Sequence, residues 1–158
     1  MSINVNTKKI ERFKANTLIH IDTIYRFSLY MVGNIFDAQD LVQNIYIRAY
    51  KYFNDLEDGV DTKAWLLKIS KNVFMNYAQH NATSIQTGNK TSMDNTSMDD
   101  SKDDVVKVIY SLPVKYRIAV ILTDVEGLSY KESSEIIGCS MKTFVSILYK
   151  GHQILRER

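Results

Sequence analysis

Apolar and polar positions alternate along this chain with the period of α-helices, and strand-like alternation is hard to find. In "DAQDLVQNIYIRAYKYF", Leu41, Ile45, Arg48/Ala49 and Tyr52 recur every three or four residues, which predicts one buried helical stripe. Asp37 is a good N-cap residue for that helix, with Asp40 three positions on in place of the capping-box Glu. "DTKAWLLKISKNVFMNYAQH" repeats the logic: Thr62 or Asp61 caps it, and Trp65, Ile69, Val73 and Tyr77 fall four apart. Such a stripe is most simply core.

The pattern then stops. From Thr83 to Asp104 the chain reads "TSIQTGNKTSMDNTSMDDSKDD", with no aromatic residue and Ile85 as its one branched aliphatic. A stretch this polar buries too little apolar surface to offset the entropy of ordering it. Residues 84–104 are therefore expected to form a flexible linker between a helical domain at 1–83 and a second at 105–158.

The second domain carries sharper punctuation. Pro113 stands where a first-turn proline is tolerated. Gly127 ends one helix, and Ser129 with Glu132 forms a capping box for the next. Gly138 permits a tight turn and Ser140 caps the last helix, in which Phe144, Leu148, Gly151 and Leu155 form one seam toward the core. Helix, tight turn, helix is the outline of a helix-turn-helix. The expected fold class is thus all-α: two small helical domains joined by a flexible linker, the C-terminal one a helix-turn-helix.

Composition narrows the functional classes. The 158 residues are 45% hydrophobic and 24% charged, ordinary globular chemistry, with a net charge of only +2. A stand-alone duplex-DNA binder is usually more basic, because phosphate contacts supply most of its affinity. The single cysteine, Cys139, forms no internal disulfide and has no companions of a zinc motif. No apolar run reaches membrane-spanning length, so no membrane insertion is expected. The three histidines are scattered, the acids lack partner motifs and no Gly-rich phosphate loop is present. No enzyme activity, cofactor or metal is expected.

"DAQDLVQNIYIRAYKYF", "WLLKISKNVFMNY" and "LPVKYRIAVILTDVEGLSYKESSEIIGCSMKTFVSILYKGHQILR", in this order and spacing, resemble the extracytoplasmic-function class of bacterial sigma factors. The resemblance implies a cytoplasmic bacterial protein that binds core RNA polymerase and directs it to promoter DNA, with an anti-sigma protein as a further partner. It implies that the helix starting at Asp37 docks on polymerase, with Asp40, Gln43, Asn44 and Arg48 as contacts. For Asp40 capping alone is the competing reading. The stretch "FNDLEDGVDTK" would shape a pocket for a flipped minus-ten base. Asn54, Asp55, Lys63, Lys68, Lys71, Asn72 and Asn76 are then candidates for minus-ten DNA. Lysines suit phosphates and amides can read a splayed base edge, although a helical lysine is more often solvated surface. Lys142, Thr143, Ser146 and Lys150 are the candidates for the minus-thirty-five element.

The last helix departs from its relatives. Where they often carry "TVKSRLHRAR", this chain has "TFVSILYKGH", so that Val145, Ile147 and His152 replace basic residues. Ser133 stands where isoleucine is common. The motif reads as a DNA reader with reduced grip, helped by tethering to polymerase. A sigma mimic that binds an anti-sigma protein without touching a promoter would lose the same residues. Val145, Ile147 and Ile154 off the core seam could then meet a protein. A stand-alone repressor leaves "DAQDLVQ" and "WLLKISKN" unexplained.

Overall fold

A computed structural model describes residues 2–80 and 100–158. Helices account for nearly all of them: α1 (Ser2–Thr17), α2 (Ile21–Val32), α3 (Ile35–Tyr52), α4 (Thr62–His80), α5 (Asp100–Tyr110), α6 (Val114–Val120), α7 (Tyr130–Ile137) and α8 (Met141–Arg156). The sequence pattern gave no sign of α1. The expected linker lies outside the described residues up to 99, and its last positions, 100–104, belong to α5.

The cap of α3 differs from expectation. Asn34, not Asp37, is the N-cap: its side-chain oxygen accepts the Asp37 amide at 2.9 Å, and its amide nitrogen donates to Asp37 Oδ2 at 3.0 Å. Asp37 in turn accepts the Tyr77 hydroxyl from α4 at 3.0 Å. Leu41, Ile45 and Ala49 are buried as expected, while Tyr52 is exposed. In α4 Val73 is buried as expected, and the rest of the buried stripe is Leu66, Leu67, Ser70 and Phe74. Trp65, Ile69 and Tyr77 flank it, half-buried. Ser70 is tolerated inside because its hydroxyl donates to the Leu66 carbonyl at 2.7 Å.

The second half follows its punctuation closely. Pro113 precedes α6. A π-helical turn at Ile121–Val125 carries the chain to Gly127, at φ +72°. Ser129 and Glu132 make both bonds of the capping box, Gly138 closes α7 at φ +91°, and Ser140 accepts the Thr143 amide. Phe144, Leu148 and Gly151 are buried, in a small core with Leu112, Ala119 and Val120. Ile147 and Ile154 pack against that same core and are only half-exposed; Val145 alone of the three expected off-seam positions is open to solvent.

A larger apolar cluster runs through both halves. It joins Met31, Leu41, Leu66 and Phe74 to Ile109, Ile118, Ile121, Leu122 and Ile136. Polar contacts fix the seam. The Arg117 guanidinium donates to the Met31 carbonyl at 2.6 Å, across from α6 to the last turn of α2. Arg26 grips the Glu126 carboxylate through two bonds, 2.7 and 2.9 Å, and Lys63 donates to the Glu126 carbonyl at 3.3 Å. Gly33, at φ +83°, lets the Tyr110 ring approach so closely that an added Cβ would lie 3.0 Å from it.

Candidate functional site

Burying Leu41, Ile45 and Ala49 turns the opposite side of α3 outward. Asp40, Gln43, Asn44 and Arg48 are all exposed on that one face. Asp40 lies beyond the first turn, and the capping role belongs to Asn34. Phe36 and Ile47, 74% and 62% exposed, continue the same face on either side of the polar group. The outcome is a polar centre between two apolar anchors, a chemistry suited to protein docking. Exclusion from the buried stripe revealed the polar members. The anchors were missed because an apolar residue off the stripe looks like noise in a sequence.

Between α3 and α4 lies an open groove of about 560 Å³, lined by Asn44, Arg48, Lys51 and Tyr52 on one side and Asn76 and His80 on the other. It brings candidates for polymerase and for minus-ten DNA to one place. Lys68, Asn72 and Asn76 form a single exposed line along α4, with Lys71 half-buried beside it. Lys63 stands apart, engaged at the seam with Glu126. A second cavity, about 200 Å³, opens under the turn that follows α3. Phe53 and Leu56 line it, and Arg12 and Asn16 reach it from α1. The Arg12 guanidinium sits 5.5 Å from the Phe53 ring centre. Asn54 and Asp55 are exposed near this cavity but do not line it. Arg12 and Asn16 could not be found from sequence, since α1 itself was not.

On α8 the outward face holds Lys142, Ser146 and Tyr149, with Val145 and Lys150 at its edges. Thr143 is exposed; its amide donates to Ser140 Oγ at 3.1 Å, and its hydroxyl oxygen accepts from Ser140 at 3.0 Å, which leaves its own O–H directed elsewhere. Tyr149 is 61% exposed and Val145 43%. His152 pairs with Asp124 at 2.6 Å. The Glu126 hydrogen bond holds the Arg26 guanidinium above its ordinary pKa, whereas burial pulls Arg117 below it.

Residues 19–83 match the family described as Sigma-70 region 2, and residues 102–151 match Sigma-70, region 4. The chain belongs to the sigma-70 family, in its extracytoplasmic-function class. It is 29% identical over 149 residues to the ECF RNA polymerase sigma factor SigE of Mycolicibacterium smegmatis, covering 87% of this chain and 58% of that protein. Against the ECF RNA polymerase sigma factor SigM of Bacillus subtilis the identity is 27% over 146 residues, with 87% and 89% covered. In three dimensions the chain resembles the sigma factor RpoE of Bartonella quintana, solved in complex with the anti-sigma factor NepR. The TM-score is 0.75 at 25% identity, over 93% of this chain and 96% of the other. Within this sigma-70 family member the two matched regions correspond to α2–α4 and to α5–α8. The polar face of α3, the exposed line of α4 and the outward face of α8 therefore lie inside family regions. Among the described residues, no helix is long and apolar enough to cross a membrane.

Proposed function

We propose that this chain is a working sigma factor. It binds core RNA polymerase through α3, presents α4 to the minus-ten element and α8 to the minus-thirty-five element, and takes a non-catalytic part in transcription initiation in the bacterial cytoplasm. The carrying observation is that three outward faces of different chemistry sit on one chain: polar with apolar anchors on α3, amide and lysine on α4, lysine and hydroxyl on α8. On this reading Asp40, Gln43, Asn44 and Arg48 meet polymerase. Lys68, Lys71, Asn72 and Asn76, with Asn54, Asp55 and Lys63 nearer the turn, serve the melted element. Lys142, Thr143, Ser146 and Lys150 serve the upstream duplex.

The reading requires a change of shape. Elements centred about 25 base pairs apart are separated by roughly 85 Å of B-DNA at about 3.4 Å per pair. A globule of this length has a radius of gyration near 15 Å (about 40 Å across). With α7 against α4, as in the closed form, one molecule cannot reach both elements. The halves must part on polymerase, freeing Lys63 from Glu126. An anti-sigma protein that held the closed form would oppose this.

Run-off transcription with core polymerase tests the proposal, using templates selected from a randomised promoter pool. Specific transcripts that depend on the chain are expected. Asp40→Arg combined with Gln43→Ala should reduce them at least tenfold, in parallel with co-purification of core enzyme, while the thermal melt is unchanged. If the wild-type chain gives no transcript but captures an anti-sigma protein, the mimic is the correct reading.

A further inference from the structure

The outward face of α8 lacks the arginine whose planar fork suits guanine, and its two lysines stand at the ends of the face rather than in the middle. In major-groove recognition thymine is read by apolar contact with its C5 methyl group. From Ser140 to Leu155 there is no arginine, and none of Asp or Glu either, so the face is cationic only through Lys142 and Lys150. Between those lysines the solvent-facing positions are Thr143, whose amide and hydroxyl oxygen are engaged with the Ser140 cap, and Val145, Ser146 and Tyr149. Val145 and Tyr149 are one turn apart on the same side, 43% and 61% exposed, and Met141 precedes them by a further turn at 48%. Neither Val145 nor Tyr149 belongs to the apolar clusters, unlike Ile147 and Ile154.

We infer that Val145 is a specificity-determining residue that reads a thymine methyl group in the upstream duplex element, with the Tyr149 ring closing over the same edge. The inference rests on the sigma-factor reading above and names what its upstream face selects. The occupant follows from the face itself. A helix free of acidic residues, lysines at both ends of the stripe and an N-terminus set by the helix-turn-helix geometry suits a polyanion entering at the first two turns. The lysines hold phosphates without sequence preference, and Ser146 bonds to any base edge. Discrimination falls to the apolar stripe, and among base edges in the major groove only thymine offers an apolar group. The upstream element should therefore carry a thymine, on either strand, beneath Val145.

Deoxyuridine differs from thymidine only by that methyl group, which gives a direct test. Holoenzyme is reconstituted from core RNA polymerase and the full chain, and a promoter is selected from a randomised pool. Each thymine of its upstream element is then replaced singly by deoxyuridine. Wild-type holoenzyme should lose roughly threefold to fivefold in promoter binding at one position, the worth of one buried methyl. Val145→Ala, an exposed position whose change leaves the fold intact, should show a similar loss on the thymine promoter and no further loss on the deoxyuridine one. Val145→Arg should shift selection toward guanine at that position. Additive losses, or no sensitivity to deoxyuridine anywhere in the element, would overturn the inference while leaving transcription itself in place. Selected promoters with no thymine in the upstream element would overturn it equally. Absence of transcript from every template would instead overturn the sigma-factor reading, and this inference with it.

Discussion

Arg117 holds the two halves together more firmly than any surface pair, and replacing it by methionine should show this. Its guanidinium donates to the Met31 carbonyl at 2.6 Å and to the Leu112 carbonyl through two bonds, 2.9 and 3.1 Å. It also lies 4.7 Å from the Tyr110 ring centre, and the residue is only 8% exposed. Met31 is in the last turn of α2, where a cation meets the negative end of the helix dipole. Methionine keeps most of the apolar stem, so the change isolates the polar contacts. Leaving two buried carbonyls without a donor costs about 1–3 kcal/mol each. The desolvation cost of the guanidinium, relieved by its removal, offsets part of that. A net loss of about 2–3 kcal/mol corresponds to a fall of roughly 4–12 °C in the melting temperature of a chain this size. Thermal unfolding followed by circular dichroism reads it. Arg26→Ala is the comparison: Arg26 is 42% exposed, so solvent screening reduces its share, although the Glu126 side chain left behind is 1% exposed. A fall of less than about 1 °C for Arg117→Met would refute the reasoning, because the carbonyls would then have found other partners.

Two further perturbations test other parts of the core. Burial pushes the Tyr46 phenol up to about 12 while its hydroxyl donates to the Thr17 carbonyl at 2.8 Å. The unfolded chain ionises first, near pH 10. Stability should therefore hold below pH 10 and fall from there toward pH 12, and denaturant titrations across that window should show a shallower fall for Tyr46→Phe. Ser133 is fully buried, with no partner for its hydroxyl among the described residues. Ser133→Ala should therefore raise the unfolding free energy by about 1 kcal/mol, and a decrease in urea midpoint would contradict that account.

Capping chemistry was the most legible part of this sequence. Ser129 with Glu132, Gly138 and Ser140 each act where their residue types place them, because a cap is decided within four residues. Asn34 was passed over for Asp37 since both are good caps, and only the paired bonds between them decide which leads. In α4 Val73 is buried as expected, while Trp65, Ile69 and Tyr77 stand at the edge of a stripe centred on Leu66, Leu67, Ser70 and Phe74. "WLLKIS" offers apolar side chains at consecutive positions, and periodicity alone cannot choose among them. Burial of Ser70 resolved the choice through a bond that no hydropathy pattern carries. The contacts of Arg26 with Glu126 and of Arg117 with Met31 span 100 and 86 residues. Nothing local announces such a pair, which is why the sequence suggested separate halves. The exposure of the candidate faces was legible where they are polar, on α3 and α4, and at Val145, which the core seam of α8 leaves out; the exposed apolar residues Phe36, Ile47 and Tyr149 gave no such signal.

The closed core and the proposed function pull in opposite directions, and their balance follows from what each state buries. Parting the halves uncovers apolar surface around Ile109, Ile121, Leu122 and Ile136, and each buried aliphatic side chain returned to water costs about 1.5–3 kcal/mol. The upstream face, with two lysines and an apolar stripe, cannot offset several such residues by itself. The free energy has to enter through a partner that binds the open form more tightly than the closed one, because only that difference shifts the equilibrium. On the proposed reading that partner is core polymerase: the α3 face, exposed in the closed form as well, lets it dock first, and only the contacts it makes once the halves have parted drive the opening. A variant weakened at the seam then has opposite signs in two assays. Arg117→Met lowers the melting temperature of the free chain, yet it reduces the cost of parting the halves and should tighten binding to core polymerase. Destabilisation accompanied by weaker polymerase binding would mean that polymerase recognises the closed form, and that the opening argued from the spacing of the promoter elements happens only on DNA.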